Sequence, residues 1–343
     1  MMALLKFRIQ VVVSFLIGLA MGSCVLDSGP YLKNTYFGGA LGTSYSITTL
    51  YQGELNLEKE IDSVFAVINN SMSTYIPDSD ISKINRGESE IVVDQMFRDV
   101  FELSKEVYYS TNGSFDPTVG ALVNAWGFGP AKQQELDSTK VDSILQFVGF
   151  EKVSLTEEGT VIKKDPRIFF DFNAVAKGYA IDRLAVLLDQ KEIKNYLIEV
   201  GGEIVSKGEN KLKNKSWIVG IDDPQLEEGR RLKLTLQLRD RALASSGNYR
   251  KFRVDSITGK KYVHTIDPKT GYTKNGRILS ASVISNTCAR ADAYATAFMV
   301  MELAETKDLL DSIEELEAYI IYFDENGEVT EFMTPEFKKL IVH

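Results

Sequence analysis

Two stretches of the chain hold residue types at spacings that could do chemistry. In Ala291-Asp292-Ala293-Tyr294-Ala295-Thr296-Ala297, Asp292 and Thr296 stand four apart, so on a helix both side chains leave one face, one turn apart. A carboxylate beside a hydroxyl is hard-oxygen chemistry suited to Mg²⁺, which takes few protein ligands and keeps places for water and phosphate oxygen. By spacing alone the pair reads equally as a capping or solvated pair. The second stretch is Asp171-Phe172-Asn173-Ala174-Val175-Ala176-Lys177-Gly178-Tyr179-Ala180. An N-terminal helix turn there would present unpaired N–H groups to a phosphate, and Lys177 would add a cation. A plain capped helix, with Asp171 or Asn173 as the cap, is the competing reading. No glycine precedes the expected helix in the way a Walker or dinucleotide loop requires.

Smaller features accompany these two. Ser114-Phe115-Asp116-Pro117-Thr118 is a turn that presents one carboxylate and two hydroxyls. His264, one of two histidines with His343, is either a near-neutral base or a hydrogen-bonding scaffold. Tyr75 follows a helical pattern and precedes Pro77 and the cap candidate Ser79; it is either a staple to the core or a stacking face.

The elements that must position these residues can be outlined from periodicity. Ile168-Phe169-Phe170 predicts a strand before Asp171, and Ile181, Leu184, Ala185 and Leu188 a helix after it. Helices are predicted where Leu57, Ile61, Val64, Phe65, Ile68 and Met72 recur, where Met96, Val100, Leu103 and Val107 recur, and over 287–301. Strands are predicted over 44–50, 152–155, 160–163, 167–172, 196–200, 216–221, 232–238, 278–284, 319–323 and 329–332. Residues 245–249 and 264–267 read as polar turns. No regular βαβ rhythm and no internal repeat is present, so the expected fold is α+β, a single domain of mainly antiparallel sheet with packed helices.

Taken in order, seven stretches resemble the ApbE family of FAD:protein FMN transferases. They are Leu41-Gly42-Thr43-Ser44-Tyr45-Ser46-Ile47, Met72-Ser73-Thr74-Tyr75 with Ser79 to Asn85, Gly113 to Gly120, Trp126-Gly127-Phe128-Gly129-Pro130, the Asp171 stretch, His264 to Gly271, and the Asp292 helix. The resemblance runs from about Tyr36 onward. It implies Mg²⁺ as cofactor and FAD as substrate, with Leu41, Tyr75, Ser114, Phe115, Asp116, Asp171, Lys177 and Ile266 as FAD contacts. It implies a metal held by the Ala174 carbonyl, Asp292 and Thr296, and a proton role or scaffold role for His264. Leu41 replaces a common methionine, a volume-conserving change, and Ala295 stands where some relatives carry an extra acidic ligand. The implied reaction moves FMN to a Ser or Thr hydroxyl of a membrane electron-transfer subunit and releases AMP. A hydrolase cutting FAD to FMN and AMP, or a non-catalytic flavin-binding lipoprotein, would use much of the same site.

The N-terminus and the charge bound the setting. Lys6 and Arg8 precede an apolar run over 9–20, closed by Met21-Gly22-Ser23-Cys24. That is short for a membrane span and reads as a cleaved signal, which resembles a bacterial lipoprotein signal with Cys24 as the lipid-bearing residue. The expected organisation is a signal over 1–23, a tether over 24–35, and the transferase domain over 36–343, anchored in the cell envelope and facing the periplasm. Without 1–23 the chain has 37 basic and 48 acidic residues, a balance that argues against nucleic acid. Cys288 is then left without an intramolecular partner, which excludes a disulfide framework.

Overall fold

The computed structural model describes residues 29–225, 231–248, 252–254, 261–274 and 276–342. Strands β1 (Leu32–Ala40) and β2 (Thr43–Tyr51) form a hairpin. Its two-residue turn, Leu41-Gly42, has φ of 52° and 73°, the left-handed geometry that matches the twist of a hairpin. Glycine adopts it freely; Leu41 does so at a cost of about 1 kcal/mol. Helices α1 (Glu58–Met72), α2 (Asp80–Asn85), α3 (Gln95–Ser110), α4 (Gly120–Ala125) and α5 (Ser138–Leu145) follow, then the small hairpin of β3 (Val153–Leu155) and β4 (Val161–Lys163). Next come α6 (Ala176–Gln190), β5 (Tyr196–Val200), β6 (Glu203–Lys207), β7 (Trp217–Asp222), β8 (Leu232–Leu238), β9 (Arg241–Gly247), β10 (Phe252–Val254), β11 (Lys261–Val263) and β12 (Ile278–Ser285). The chain closes with α7 (Cys288–Phe298), α8 (Leu303–Ser312), β13 (Glu317–Phe323), β14 (Val329–Met333), α9 (Pro335–Lys339) and β15 (Ile341–Val342).

The main sheet has eight strands in the order β1-β2-β5-β6-β9-β12-β13-β14, antiparallel at each junction. Successive side chains leave opposite faces of a strand, and the two faces carry different cores. Ala242, Ala244, Ala281, Val283, Ala318 and Ile320 pack with α1, α3, α6 and α7. Leu243, Ile284, Tyr319 and Ile321 pack with Val219, Leu236, Leu238 and Phe337 on the other side. The fold is thus α+β, a single domain, as expected.

Four local expectations give way. Residues 216–221 and 232–238 do not extend the main sheet; as β7 and β8 they join β15 in a sheet of their own, whose apolar face covers the back of the main one. Residues 245–247, expected in a turn, end the central strand β9 and pair with β12. Residues 32–35, expected in the tether, already belong to β1, with Leu32 opposite Tyr51. Residues 167–172 form no ladder; one parallel bridge, Val119 to Phe169, takes the place of a strand.

That extended segment is held by a side chain. Buried Asn85, the last residue of α2, donates from Nδ2 to the Phe170 carbonyl at 2.9 Å and accepts the Phe170 N–H on Oδ1 at 2.7 Å, which reproduces the pair of bonds a neighbouring strand would supply. Removing it leaves a buried N–H and a buried C=O without partners. Asn85→Ala is expected to lower the unfolding free energy by about 2–4 kcal/mol, measurable as a lower urea midpoint with an unchanged slope.

Candidate functional site

Two polar turns are joined backbone to backbone. The Gly120 N–H donates to the Phe169 carbonyl at 3.1 Å, and the Asp171 N–H to the Pro117 carbonyl at 2.7 Å. Gly120 permits this, since a Cβ there would lie 2.7 Å from the Phe169 carbonyl oxygen. Asp116 is buried, and its Oδ1 accepts from the Thr118 N–H at 2.8 Å and the Thr118 hydroxyl at 2.6 Å. Thr118 in turn accepts the Gly149 N–H at 2.7 Å. Ser114 and Phe115 are also buried, and Phe115 belongs to the main core. Asp171, buried, accepts its own turn's Asn173 N–H at 2.8 Å, and burial raises its carboxyl above the usual range. Tyr75 is 59% exposed; partial burial of its phenol, with the nearby Asp171 charge adding, raises its pKa. These five residues therefore gather at one place, with the aromatic outermost.

The second half of the site is the junction of α6 with α7. At Gly178 the helices come so close that a Cβ would lie 2.6 Å from the Cys288 carbonyl carbon. Asp182 on α6 accepts the Cys288 and Ala289 N–H groups at 2.8 and 2.9 Å, capping the start of α7. In the other direction, Asp292 Oδ2 accepts the Gly178 N–H at 3.1 Å. That N–H would ordinarily close on the carbonyl four residues back, which is Ala174. Among the described residues no hydrogen bond ends on the Ala174 carbonyl. Thr296, one turn from Asp292, lies 3.3 Å from the Ser246 hydroxyl on β9. Burial holds Asp292 well above the ordinary carboxylate range, and the Glu203 and Asp182 charges add to this while Lys177 opposes it.

Lys177 does not stand free in the first turn of α6. Its Nζ lies 2.6 Å from Glu203 Oε1, on a carboxylate 3% exposed. Burial by itself would lower the ammonium pKa, but Asp292 and Glu203 together push it up. Glu203 follows the turn Gly201-Gly202, both at positive φ, and the Gly201 N–H donates to the Ser44 carbonyl at 3.0 Å. The Leu41-Gly42 and Gly201-Gly202 turns therefore sit side by side at one end of the sheet, because β2 pairs with β5.

The loop over 264–273 packs against α4 and its C-terminal Trp126. Trp126 Nε1 donates to the Gly271 carbonyl at 2.8 Å, and Ile266 is buried with Leu122, Trp126, Val141 and Val148. His264 is half-buried. The neighbouring Thr265 hydroxyl donates to Asn248 Oδ1 at 2.9 Å, and Asn248 directly follows the strand that carries Ser246. Asn85, Asp182, Glu203 and Ser246 are site or supporting residues that periodicity did not single out. For Glu203 a signal existed, an acid immediately after a Gly-Gly turn; Asn85 closed the Ser79 to Asn85 stretch of the resemblance and Ser246 lay in the expected 245–249 turn, whereas nothing in the sequence pointed to Asp182.

The donor set can be tested for a metal. Among the described residues no cluster of three or more His, Cys, Asp or Glu side chains is placed to hold an ion, so a closed structural cage is not formed. One carboxylate, one hydroxyl and one unpartnered carbonyl are hard oxygens, few in number, which fits Mg²⁺ with sites left for water or phosphate.

A model of the ApbE family matches residues 41–320. The chain belongs to the ApbE family. It is 32% identical over 316 residues to a Haemophilus influenzae protein named FAD:protein FMN transferase, covering 88% of this chain and 90% of that one. A Vibrio cholerae protein of the same name is 35% identical over 273 residues, 77% of this chain and 80% of that one. Among solved structures, the flavin transferase ApbE from Vibrio cholerae superposes with a TM-score of 0.80 at 29% identity, covering 91% of this chain and 100% of that chain. The ApbE protein of Thermotoga maritima does so with a TM-score of 0.79 at 26% identity, covering 91% and 100%.

Burial pushes the Asp116 carboxyl from an ordinary 3.8 up to about 6, against its two bonds from Thr118. The folded protein then holds a proton that the unfolded chain has lost, so this group's contribution is full below pH 3.8 and disappears as pH rises through about 6. Stability should fall over that window by roughly 3 kcal/mol on account of Asp116. In Asp116→Asn, which keeps the acceptor oxygen, that component of the pH profile should be absent when urea unfolding is measured from pH 3.5 to 7.

Proposed function

We propose that this ApbE-family chain is a transferase that moves the FMN half of FAD to a Ser or Thr hydroxyl of an acceptor protein, releasing AMP. The observation that carries the proposal is the α6–α7 junction. Two helices approach at a glycine so that Asp292 accepts an N–H of the N-terminal turn of α6, where a pyrophosphate is favoured, and Thr296 stands one turn along the same helix. The names of the relatives support the same reading, and a protein that only stored flavin would have no use for this oxygen set.

Each group then has a task. Asp292, Thr296 and the Ala174 carbonyl would hold Mg²⁺, which when bound neutralises charge on the phosphate oxygens. Lys177, at the N-terminal turn of α6, orients the pyrophosphate. Tyr75, exposed above Asp171, covers the flavin ring and Leu41 borders it. Ser114, Phe115 and Asp116 shape the joined turn beneath, and Ile266 bounds the other side. The acceptor oxygen bonds to the phosphorus on the FMN side, and the bond from that phosphorus to the bridging oxygen breaks. AMP leaves with the bridging oxygen, and His264 takes the proton of the attacking hydroxyl. Much of the rate comes from holding that hydroxyl in line, so transfer rather than hydrolysis is favoured once an acceptor is docked.

Asp292→Ala should retain the wild-type fold, since a buried carboxylate is lost along with one bond from Gly178. Its formation of acceptor-bound FMN should fall by at least about 100-fold. Mass analysis of the acceptor and quantitation of AMP and free FMN in one reaction check both the activity and its class. Fast AMP release by the wild type without acceptor would identify a hydrolase instead.

The proposed setting is the cell envelope, with the chain anchored on the periplasmic side by lipid at Cys24 and acting on a membrane electron-transfer subunit. Cys24 and the signal over 1–23 lie outside the described residues. Among the described residues no helix is long and apolar enough to cross a membrane, and β1 starts eight residues after Cys24, close enough to keep the domain at a bilayer surface. Cys24→Ala is expected to move the protein from the membrane fraction to the soluble fraction; retention of the variant in the membrane fraction would rule out the anchor.

A further inference from the structure

Two buried carboxylates, Asp292 and Glu203, flank one cation, Lys177. Their exposures are 4% and 3%, so neither is neutralised by solvent, and each attracts the same ammonium. The structure resolves the competition in one direction. Consecutive residues of α6 serve the two acids separately: the backbone N–H of Gly178 bonds Asp292 Oδ2 at 3.1 Å, while the side chain of Lys177 bonds Glu203 Oε1 at 2.6 Å. Among the described residues no salt bridge joins Lys177 to Asp292. Glu203 Oε2 is buried without a hydrogen-bond partner, so this carboxylate depends on Lys177 for its compensation, and breaking a buried pair is strongly unfavourable.

We infer that Glu203 is a positioning residue that holds the Lys177 ammonium away from Asp292 and so keeps the Asp292 carboxylate open for a divalent cation. It rests on the reading of Asp292 as a ligand for that cation. A lysine able to swing onto Asp292 would be a tethered competitor at very high effective concentration, and the metal would have to displace it. Fixing it on Glu203 removes the competitor and leaves the ammonium beside the α6 turn, where it can meet a phosphate after the cation is in place. Glu203 is suited to this by its location: it opens β6 directly after the Gly201-Gly202 turn, on a rigid central strand rather than a loop, with β5 and β9 on its two sides.

The test is metal affinity in the absence of FAD, with Mn²⁺ as the probe and electron paramagnetic resonance of free Mn²⁺ as the readout, on the full chain. Glu203→Gln is expected to weaken Mn²⁺ binding by roughly 10–100-fold, the range for residues that support a ligand without touching the metal. Glu203→Asp keeps the charge but shortens the reach to Lys177, and is expected to weaken binding nearly as much. Replacing Lys177 by Met in either background should restore most of the affinity, because the competitor is gone. Wild-type affinity in Glu203→Asp would show that Glu203 acts only by its charge and would overturn the inference, as would an unaffected Glu203→Gln. If Glu203→Gln is too unstable to purify, Glu203→Asp carries the same decision. Asp292→Ala separates this inference from the reading beneath it. Loss of Mn²⁺ binding in Asp292→Ala with normal binding in the Glu203 variants refutes the positioning role alone, and retained binding in Asp292→Ala refutes the ligand assignment itself.

Discussion

The close approach of α6 to α7 at Gly178 is the constraint on which the site depends. Because no side chain separates the helices there, each reaches the other's backbone: Asp182 caps α7, and Asp292 takes an N–H of the first turn of α6. The alanines of α7 and the alanines of β9, β12 and β13 extend the same closeness to the sheet. With small residues on both surfaces, the helix sits low enough for Thr296 to meet Ser246. A larger residue at any of these contacts would push α7 outward and separate the oxygen set.

The site is also a place where charge has been buried. Glu203 and Asp292 are inside the protein and Asp182 is partly buried beside them; desolvation raises Asp182 to about 6 even though it accepts two backbone N–H groups. Carboxylates are seldom buried without partners, and here the partners are one lysine and the ends of two helices. Such an arrangement costs stability in the free protein and leaves the region short of positive charge, which is a setting in which a divalent cation adds to stability when it binds.

The opposite wall is built with almost no regular structure. The Ser114–Thr118 turn and the Asp171 loop are joined by backbone bonds and one bridge, and the Asn85 amide ties the loop to α2. Loops of this kind place side chains and N–H groups at angles a ladder would not permit, and they stay in position because the buried carboxylates close their own turns while backbone bonds and the Asn85 amide tie the turns to the rest of the chain.

Much of the protein was legible in residue patterns. The long helices, the hairpin at the C-terminal end of the sheet and the pairing of Asp292 with Thr296 on one helix face follow from local periodicity, which depends only on backbone geometry. The order of the motifs identified the family, and Ser79 caps α2 as expected. What the tertiary structure decided lies where long-range packing overrides local preference. Ser245, Ser246 and Gly247 have little strand propensity, yet they complete a central strand because α7 needs a small-residue surface beneath it. Phe169 and Phe170 have strong propensity, yet Asn85 replaces the strand they would have paired with. Lys177 pairs with Glu203, 26 positions further along the chain, a choice between two acids made by the relative placement of α6 and β6. Local sequence determined which elements form and which chemistry they carry. Distance between elements, set by how closely their surfaces pack, decided which of those groups meet.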